Sequence, residues 1–320
     1  MYIHTTKRFS VEGLPANEED ILVLYHDDLD GYASLFAAHR FIRDAYFYEA
    51  KSKIDYKSQC IQYGESAQNI YQELLTTEHP PRLVFVLDFS FSQAILDDLR
   101  MRMRVVVIDH HISSVKGLLP HPDNYLDTSR SGCGLTWDTL HPEFAPPWPI
   151  ILAGDYDMWQ FVYPETKPFS AIMNIHPNKR CPLFWDQLTI GSGKLLDELL
   201  NQGQALVQQN EVLIKNFIKG EKYKIVDFQG HWVICFNMPS QKPLTDELHS
   251  ALNELGLADF TMSFFFESKG QVIFNLRSQG DMNVSTIARK FSGGGHVNAA
   301  SFKLPFDEGL QLLQGFYART

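Results

Sequence analysis

Four short apolar runs, each followed closely by Asp or His, restrict the fold of this chain more than any other feature. The runs cover residues 21–25, 83–87, 104–108 and 149–153. Short continuous apolar runs are typical of strands that are buried on both faces of a parallel sheet. Because ligands of open α/β sheets bind beyond the carboxyl ends of the strands, we expect the polar residues that follow these runs to meet at one sheet edge.

The side chains at these strand ends are all carboxylates or imidazoles: His26, Asp28, Asp30, Asp88, Asp109, His110, His111 and Asp155. This mixture of ligands suits Mn²⁺ and, less selectively, other divalent ions. Asp88 stands alone after its run, in a position to bridge two ions. A pair of ions about 3.5–4 Å apart would clamp the attacking and leaving oxygens of a phosphodiester, so the pattern predicts metal-dependent hydrolysis. Asp157 either supports this site or caps a helix, and Asp27 is expected to face away from it.

Charge and length restrict the partners. The chain has 320 residues, which is enough for two domains, and a formal net charge of −10 without any run rich in Lys or Arg. Proteins that grip long nucleic acids usually carry a basic face. We therefore expect a short phosphorylated substrate and no long nucleic acid.

Membrane and export signals are also missing from the sequence. No apolar run approaches the ~20 residues of a membrane-spanning helix, and residues 1–8 do not resemble a secretion signal. The four cysteines form no CxxC pair. We expect no membrane partner, and reduced thiols in a cytoplasmic protein.

The order of the predicted elements indicates an α/β fold with two parts. Strand-like runs alternate with helical stretches in the first half, which predicts a doubly wound, mostly parallel sheet. Leu, Ile, Val and Phe then recur at helical spacing over residues 195–218, and hairpins centred on Gly230 and Gly270 follow. We expect a catalytic domain over residues 1–190, a linker helix over 191–220 and a smaller α+β domain over 221–320.

The glycines of the second domain have two interpretations. Consecutive N–H groups of Gly293, Gly294 and Gly295 can form a concave anion site, although a flexible hairpin loop is the simpler alternative. The neighbouring His296 and the upstream Arg277, which can bind phosphate bidentately, favour phosphate binding. In the first domain, Arg130 and Ser131 are candidates for substrate contact, and Cys133 is expected to pack closely rather than to act as a nucleophile.

These residues also resemble a known family. His26-x-Asp28-x-Asp30-Gly31, Asp88, Asp109-His110-His111 and Asp155 resemble the four motifs of the DHH phosphoesterases. The stretch from Asn275 to Ser278, together with residues 283–288 and 293–300, resembles the DHHA1 domain that follows in that family. The chain is most similar to the compact members that degrade short oligoribonucleotides, linear dinucleotides such as pGpG, or cyclic dinucleotides.

The resemblance implies a role for each matching residue. His26, Asp28 and Asp88 would hold one Mn²⁺; Asp30, Asp88, His110 and Asp155 would hold a second, with Mg²⁺ or Co²⁺ as substitutes. His111 would contact the scissile phosphate while Asp109 orients a histidine. The far end of the substrate would be held by Arg277, Ser278, Gly293, Gly294, Gly295 and His296. Two departures from the family pattern affect His26, which belongs to an unusual His-x-Asp-x-Asp spacing, and Ser301, which replaces a glycine.

The sequence therefore predicts a two-metal phosphodiesterase that releases 5′-mononucleotides from linear dinucleotides or short oligoribonucleotides. A cyclic-dinucleotide phosphodiesterase, a single-strand exonuclease, a pyrophosphatase and a non-catalytic nucleotide sensor stay open as alternatives. The base preference, the polarity of attack and the choice between monomer and homodimer are left open by the sequence.

Overall fold

The computed structural model describes residues 8–46, 56–190, 193–239, 243–295 and 297–317. His296, a predicted substrate ligand, lies outside the described residues. The chain divides into two compact units, Met1–Ala205 and Leu206–Thr320. The boundary falls inside helix α9 (Lys194–Lys219), in the region for which the sequence predicts a linker helix.

The first unit alternates strands and helices before it ends in a run of helices. Its strands are β1 (Ile21–His26), β2 (Lys57–Ile61), β3 (Leu83–Leu87), β4 (Arg104–Asp109) and β5 (Asn124–Leu126). Its helices are α1 (Leu29–Tyr46), α2 (Glu65–Thr76), α3 (Gln93–Arg100), α4 (Ile112–Gly117), α5 (Gly132–Leu140), α6 (Trp148–Asp157), α7 (Thr166–Ile175) and α8 (Pro182–Thr189).

The five strands form one parallel sheet in the order β2-β1-β3-β4-β5. The predicted doubly wound parallel sheet is thus confirmed. The chain moves from β1 outward to β2 and then returns to β3 on the other side of β1, so the strand order reverses between β1 and β3. Crevices for ligands open at such reversals in α/β sheets. All residues of β3 are buried, in keeping with its continuous apolar sequence.

The fourth apolar run was predicted to be a strand, and this prediction is wrong. Residues 149–153 lie within helix α6, which follows Pro147 and carries Pro149 in its first turn. Proline favours the first turn of a helix because its missing N–H is not needed there and its φ is already helical. The apolar run does not alternate, and such a run is compatible with either a buried strand or a buried helix.

The second unit is built on a mixed sheet with the strand order β10-β11-β9-β8-β7-β6. Its elements are β6 (Lys224–Phe228), β7 (His231–Asn237), α10 (Leu244–Asn253), β8 (Phe260–Glu267), β9 (Gln271–Arg277), α11 (Val284–Arg289), β10 (Gly294–Gly295), β11 (Ala299–Pro305) and α12 (Phe306–Tyr317). The antiparallel pairs β6–β7 and β8–β9 confirm the predicted hairpins. Across the described part of the chain, no helix is both long and apolar enough to cross a membrane.

Candidate metal centre

Asp88 occupies the middle of a cluster of carboxylates and imidazoles at the carboxyl edge of the first sheet. It follows β3 directly, its backbone N–H donates to Ile108 O at 2.9 Å, and its side chain is 1% exposed. The backbone of Asp88 has φ 52°, a left-handed conformation that Asp and Asn tolerate better than most residues. This turn aims the carboxylate across the ends of the neighbouring strands.

His110 brings three carboxylates together on one side of Asp88. Its Nε2 lies 3.2 Å from Asp88 Oδ1, 3.5 Å from Asp157 Oδ2 and 3.7 Å from Asp30 Oδ2. One ligand atom from each of Asp30, His110 and Asp157 lies within 4.8 Å of the others, which is close enough for a shared cation.

His26 forms a second group on the other side of the same aspartate. His26 Nδ1 is 3.0 Å from Asp28 Oδ2 and 3.7 Å from Asp88 Oδ2. Asp88 also groups with His110 and His111, so it participates in more than one set of potential metal ligands. The structure thus brings His26, Asp28, Asp30, Asp88, His110 and His111 to one sheet edge.

Asp109 does not join this cluster but fixes its histidines. Its Oδ1 lies 2.7 Å from His111 Nδ1 and accepts backbone N–H groups of His110 and His111 at 2.8 Å and 3.2 Å. A buried carboxylate that fixes the imidazole orientation is the usual partner of histidines near a metal. This geometry agrees with the supporting role predicted for Asp109.

Helix α5 holds Asp30 in place from across the fold. The backbone N–H groups of Gly132 and Cys133 donate to Asp30 Oδ2 and Oδ1 at 2.6 Å and 2.9 Å. Gly132 must be glycine here, because a Cβ would lie 2.6 Å from Asp88 Oδ1 and 2.9 Å from Asp30 Oδ2. The sequence analysis did not identify Gly132, whose only signal is a glycine at the start of a helix.

The concentration of charge shifts the titration of the metal-free cluster. Burial raises the pKa of Asp30, and Asp88 and Asp157 raise it further. Burial disfavours the charged imidazoles of His26 and His110, but the facing carboxylates outweigh it and raise the pKa of each to about 11. Protons therefore neutralise the carboxylates in the metal-free protein, and a bound cation would have to displace them.

The donor set fits divalent ions. Two buried atoms of the cluster, Asp88 Oδ1 and His26 Nδ1, have no hydrogen-bond partner among the described residues. Buried polar atoms are rarely left unpaired, and each such case requires an explanation. A cation accounts for both atoms, since carboxylate oxygen and imidazole nitrogen together suit Mn²⁺ and related ions.

Asp155, which the sequence places among the ligands, does not lie in these groups. Its carboxylate accepts hydrogen bonds from the backbone N–H groups of Val162 and Tyr163 at 3.0 Å and 3.4 Å, and from the Thr166 hydroxyl. The ligand position is occupied by Asp157 instead. The difference follows from α6 being helical: residues two apart point in different directions on a helix, so only one of the two carboxylates can face His110.

Replacing these two aspartates separately distinguishes the assignments. We expect Asp157→Asn to lower phosphodiesterase turnover at least about tenfold with little change in thermal stability, because it removes charge from a ligand group. Asp155→Asn should instead destabilise the first unit by about 1–3 kcal/mol, because it disturbs buried hydrogen bonds, and should keep near-normal turnover at low temperature. Turnover and thermal unfolding of both variants check this, and the reverse pattern would restore Asp155 as the ligand.

The predicted substrate residues of the first unit have structural partners. Arg130 forms an ion pair with Asp138, and the buried Ser131 caps α5 by accepting the Gly134 N–H at 3.2 Å. Burial raises the pKa of the Cys133 thiol, which makes it a poor nucleophile, as predicted. Ser131 is 5% exposed, so its hydroxyl is better placed for capping than for substrate contact.

The predicted substrate residues of the second unit are likewise part of its internal structure. Arg277 donates from Nε and one terminal nitrogen to Asp246 Oδ1, at 3.1 Å and 3.0 Å. The Ser278 hydroxyl donates to Met282 O at 2.6 Å. Gly294 and Gly295 form the short strand β10 rather than an open loop, with Gly295 at φ 136°.

Gly293 packs closely against the neighbouring strand. A Cβ there would lie 2.2 Å from Ser301 O, so close approach of two backbones accounts for this glycine. A role in substrate binding stays a prediction for Arg277, Ser278 and all three glycines.

Comparison with known proteins agrees with this arrangement. A family model described as the N-terminal domain of the DHH family matches residues 20–153, and a DHHA1 domain model matches residues 244–318. An uncharacterised protein of Acanthamoeba polyphaga mimivirus is 25% identical over 300 residues, covering 90% of this chain and 70% of the relative.

Several solved structures share the fold at low sequence identity. A structure titled as the DHH domain of a member of a ribosomal protein family has a TM-score of 0.63 at 16% identity, covering 96% of this chain and 87% of that one. The pGpG-specific phosphodiesterase PggH from Vibrio cholerae has a TM-score of 0.52 at 14% identity, covering 92% and 96%. Exonuclease RecJ bound to manganese has a TM-score of 0.51 at 14% identity, covering 98% and 97%.

Proposed function

Because this chain belongs to the DHH family of phosphoesterases, with a DHH domain followed by a DHHA1 domain, we propose that it hydrolyses linear dinucleotides such as pGpG, or short oligoribonucleotides, to 5′-mononucleotides. The observation that carries the proposal is the position of Asp88, whose carboxylate is shared between ligand groups on both sides. Such sharing is what a pair of cations acting on one phosphate requires.

The proposed cofactor is a pair of Mn²⁺ ions, with Mg²⁺ or Co²⁺ as substitutes. One group would consist of His26, Asp28 and Asp88, and the other of Asp30, His110 and Asp157 with Asp88 between them. When bound, these ions would polarise the scissile phosphate and lower the pKa of a water molecule. The manganese-bound RecJ structure, which shares the fold, supports this choice of metal.

The protein's own groups would orient the substrate around this centre. His111 is 13% exposed and is fixed by Asp109, so its imidazole can donate a hydrogen bond to a phosphate oxygen without first reorganising. Asp30 is fixed by two backbone N–H groups and Asp88 by the turn after β3. Such a rigid surrounding holds reacting groups in place, which is how a site of this kind lowers its barrier.

A short substrate is proposed on the ground of charge. With a net charge of −10 the chain lacks the excess of basic residues that binding a long polyanion requires. The pGpG specificity printed for the Vibrio cholerae structure favours a linear dinucleotide for this chain as well. Cytoplasmic location is part of the proposal, in agreement with four free cysteines.

A substrate panel tests the proposal. Purified protein with Mn²⁺ should convert pGpG to GMP, and should act more slowly on a cyclic dinucleotide, on pyrophosphate and on a 20-nucleotide single strand. A chelator should abolish turnover. Faster hydrolysis of the cyclic dinucleotide, of the 20-mer or of pyrophosphate would replace the proposal by the corresponding alternative, and metal-free, inactive protein would favour a sensor.

A further inference from the structure

A tyrosine with an exposed ring, Tyr63, lies against two histidines of the metal centre. Its ring centroid is 5.9 Å from that of His26 and 6.1 Å from that of His111, and both pairs meet edge to face. The residue is nevertheless 52% exposed. Tyr63 thus presents aromatic surface to solvent directly beside the groups that would hold the scissile phosphate.

The side chain is fixed at both ends. Its ring packs on Phe89 with centroids 4.4 Å apart, and Phe89 is buried and follows Asp88 in the chain. Its hydroxyl forms hydrogen bonds with Ser114 and with the backbone of Ser90. Single exposed aromatic residues are common and need no explanation, but a ring that is already immobilised loses little conformational entropy when a ligand packs against it.

We propose that Tyr63 is a stacking platform for a nucleobase next to the scissile phosphate. The inference rests on the proposed function, since only a nucleotide substrate places a base beside the phosphate. Nucleobases stack on aromatic side chains whatever their identity, because every base has a π-face. The contact would therefore select for nucleotides over other phosphodiesters without selecting a particular base.

Steady-state kinetics of three variants test the platform. The substrates are pGpG and two analogues, each of which lacks one of the two guanine bases. Tyr63→Leu removes the ring and should raise KM for pGpG roughly tenfold, with kcat within about threefold of wild type. The same variant should leave KM unchanged for the analogue that lacks the stacked base. Tyr63→Phe retains the ring and should keep near-normal KM.

Phe144 provides a matched control. It is an exposed aromatic residue of the first unit, 69% exposed, that follows helix α5. Phe144→Leu should leave KM for all three substrates unchanged. If Tyr63→Leu leaves KM unchanged, or raises KM equally for all three substrates, the platform is refuted, and a lowered melting temperature with normal KM would assign Tyr63 a structural role only.

Failure of the proposed function gives a different result. In that case the wild-type protein hydrolyses none of the three substrates. Calorimetric binding of GMP in the presence of Mn²⁺ then tests stacking alone: affinity lost in Tyr63→Leu and kept in Tyr63→Phe supports it, and equal or absent binding in all forms overturns it.

Discussion

Asp88→Asn should lose more than about a hundredfold in turnover of pGpG while the protein stays folded. Loss of residues that merely support a metal ligand costs 10–100-fold, and Asp88 belongs to ligand groups on both sides of the centre, so its loss should cost more. Asparagine tolerates the left-handed backbone of Asp88 and keeps the side-chain shape, so the substitution tests the charge alone. Turnover with saturating Mn²⁺ provides the measurement.

Thermal unfolding separates loss of metal from loss of fold. Without metal, Asp88→Asn should be at least as stable as wild type, because it removes one negative charge from a crowded cluster. Mn²⁺ at 100 times its Kd should stabilise the wild-type protein by about 2.7 kcal/mol, and the variant by clearly less. An unchanged rate, or equal stabilisation of both forms by Mn²⁺, would show that Asp88 is not a shared ligand.

Gly132→Ala should be nearly as damaging, although it leaves every charged residue in place. The new methyl group would lie 2.6 Å from Asp88 Oδ1 and 2.8 Å from Asp88 Cβ, where no atom fits without displacing the carboxylate. We expect kcat to fall by about a hundredfold or more, with a loss of about 1–3 kcal/mol in stability from overpacking.

Gly117→Ala serves as the control for this substitution. It lies in helix α4, where a Cβ would meet nothing within 4 Å, so its turnover and stability should match or slightly exceed those of wild type. Steady-state turnover and thermal unfolding check both variants. Gly132→Ala with wild-type turnover would mean that the contact of α5 with Asp88 does not position the centre.

The sequence was sufficient to predict the parallel sheet and the meeting of its strand ends. Strands β1, β3 and β4 are buried on both faces, so their sequences are short continuous apolar runs that the local pattern reveals. Because parallel strands all end at one edge, predicting three strands also placed His26, Asp88 and His110 near one another. The hairpins of the second unit were predicted for a similar reason, since each has a glycine at its turn.

What the sequence could not give depends on contacts between distant elements. The choice between Asp155 and Asp157 follows from the helical state of α6, which an apolar run does not reveal. Gly132 meets Asp30 across a separation of 102 residues, and Arg277 meets Asp246 of helix α10 across 31 residues. Motif spacing carries no information about such partners, because only the folded chain brings them together.

The central claim, that one sheet edge assembles two cations around Asp88, is tested most directly by counting bound metal. Metal-free wild-type protein titrated with Mn²⁺ in a calorimeter, and checked by native mass spectrometry, should bind two ions per chain and release protons as it does so. Asp88→Asn should bind at most one ion with comparable affinity. A wild-type chain that binds no Mn²⁺, or a variant that still binds two ions as tightly as wild type, would contradict the account.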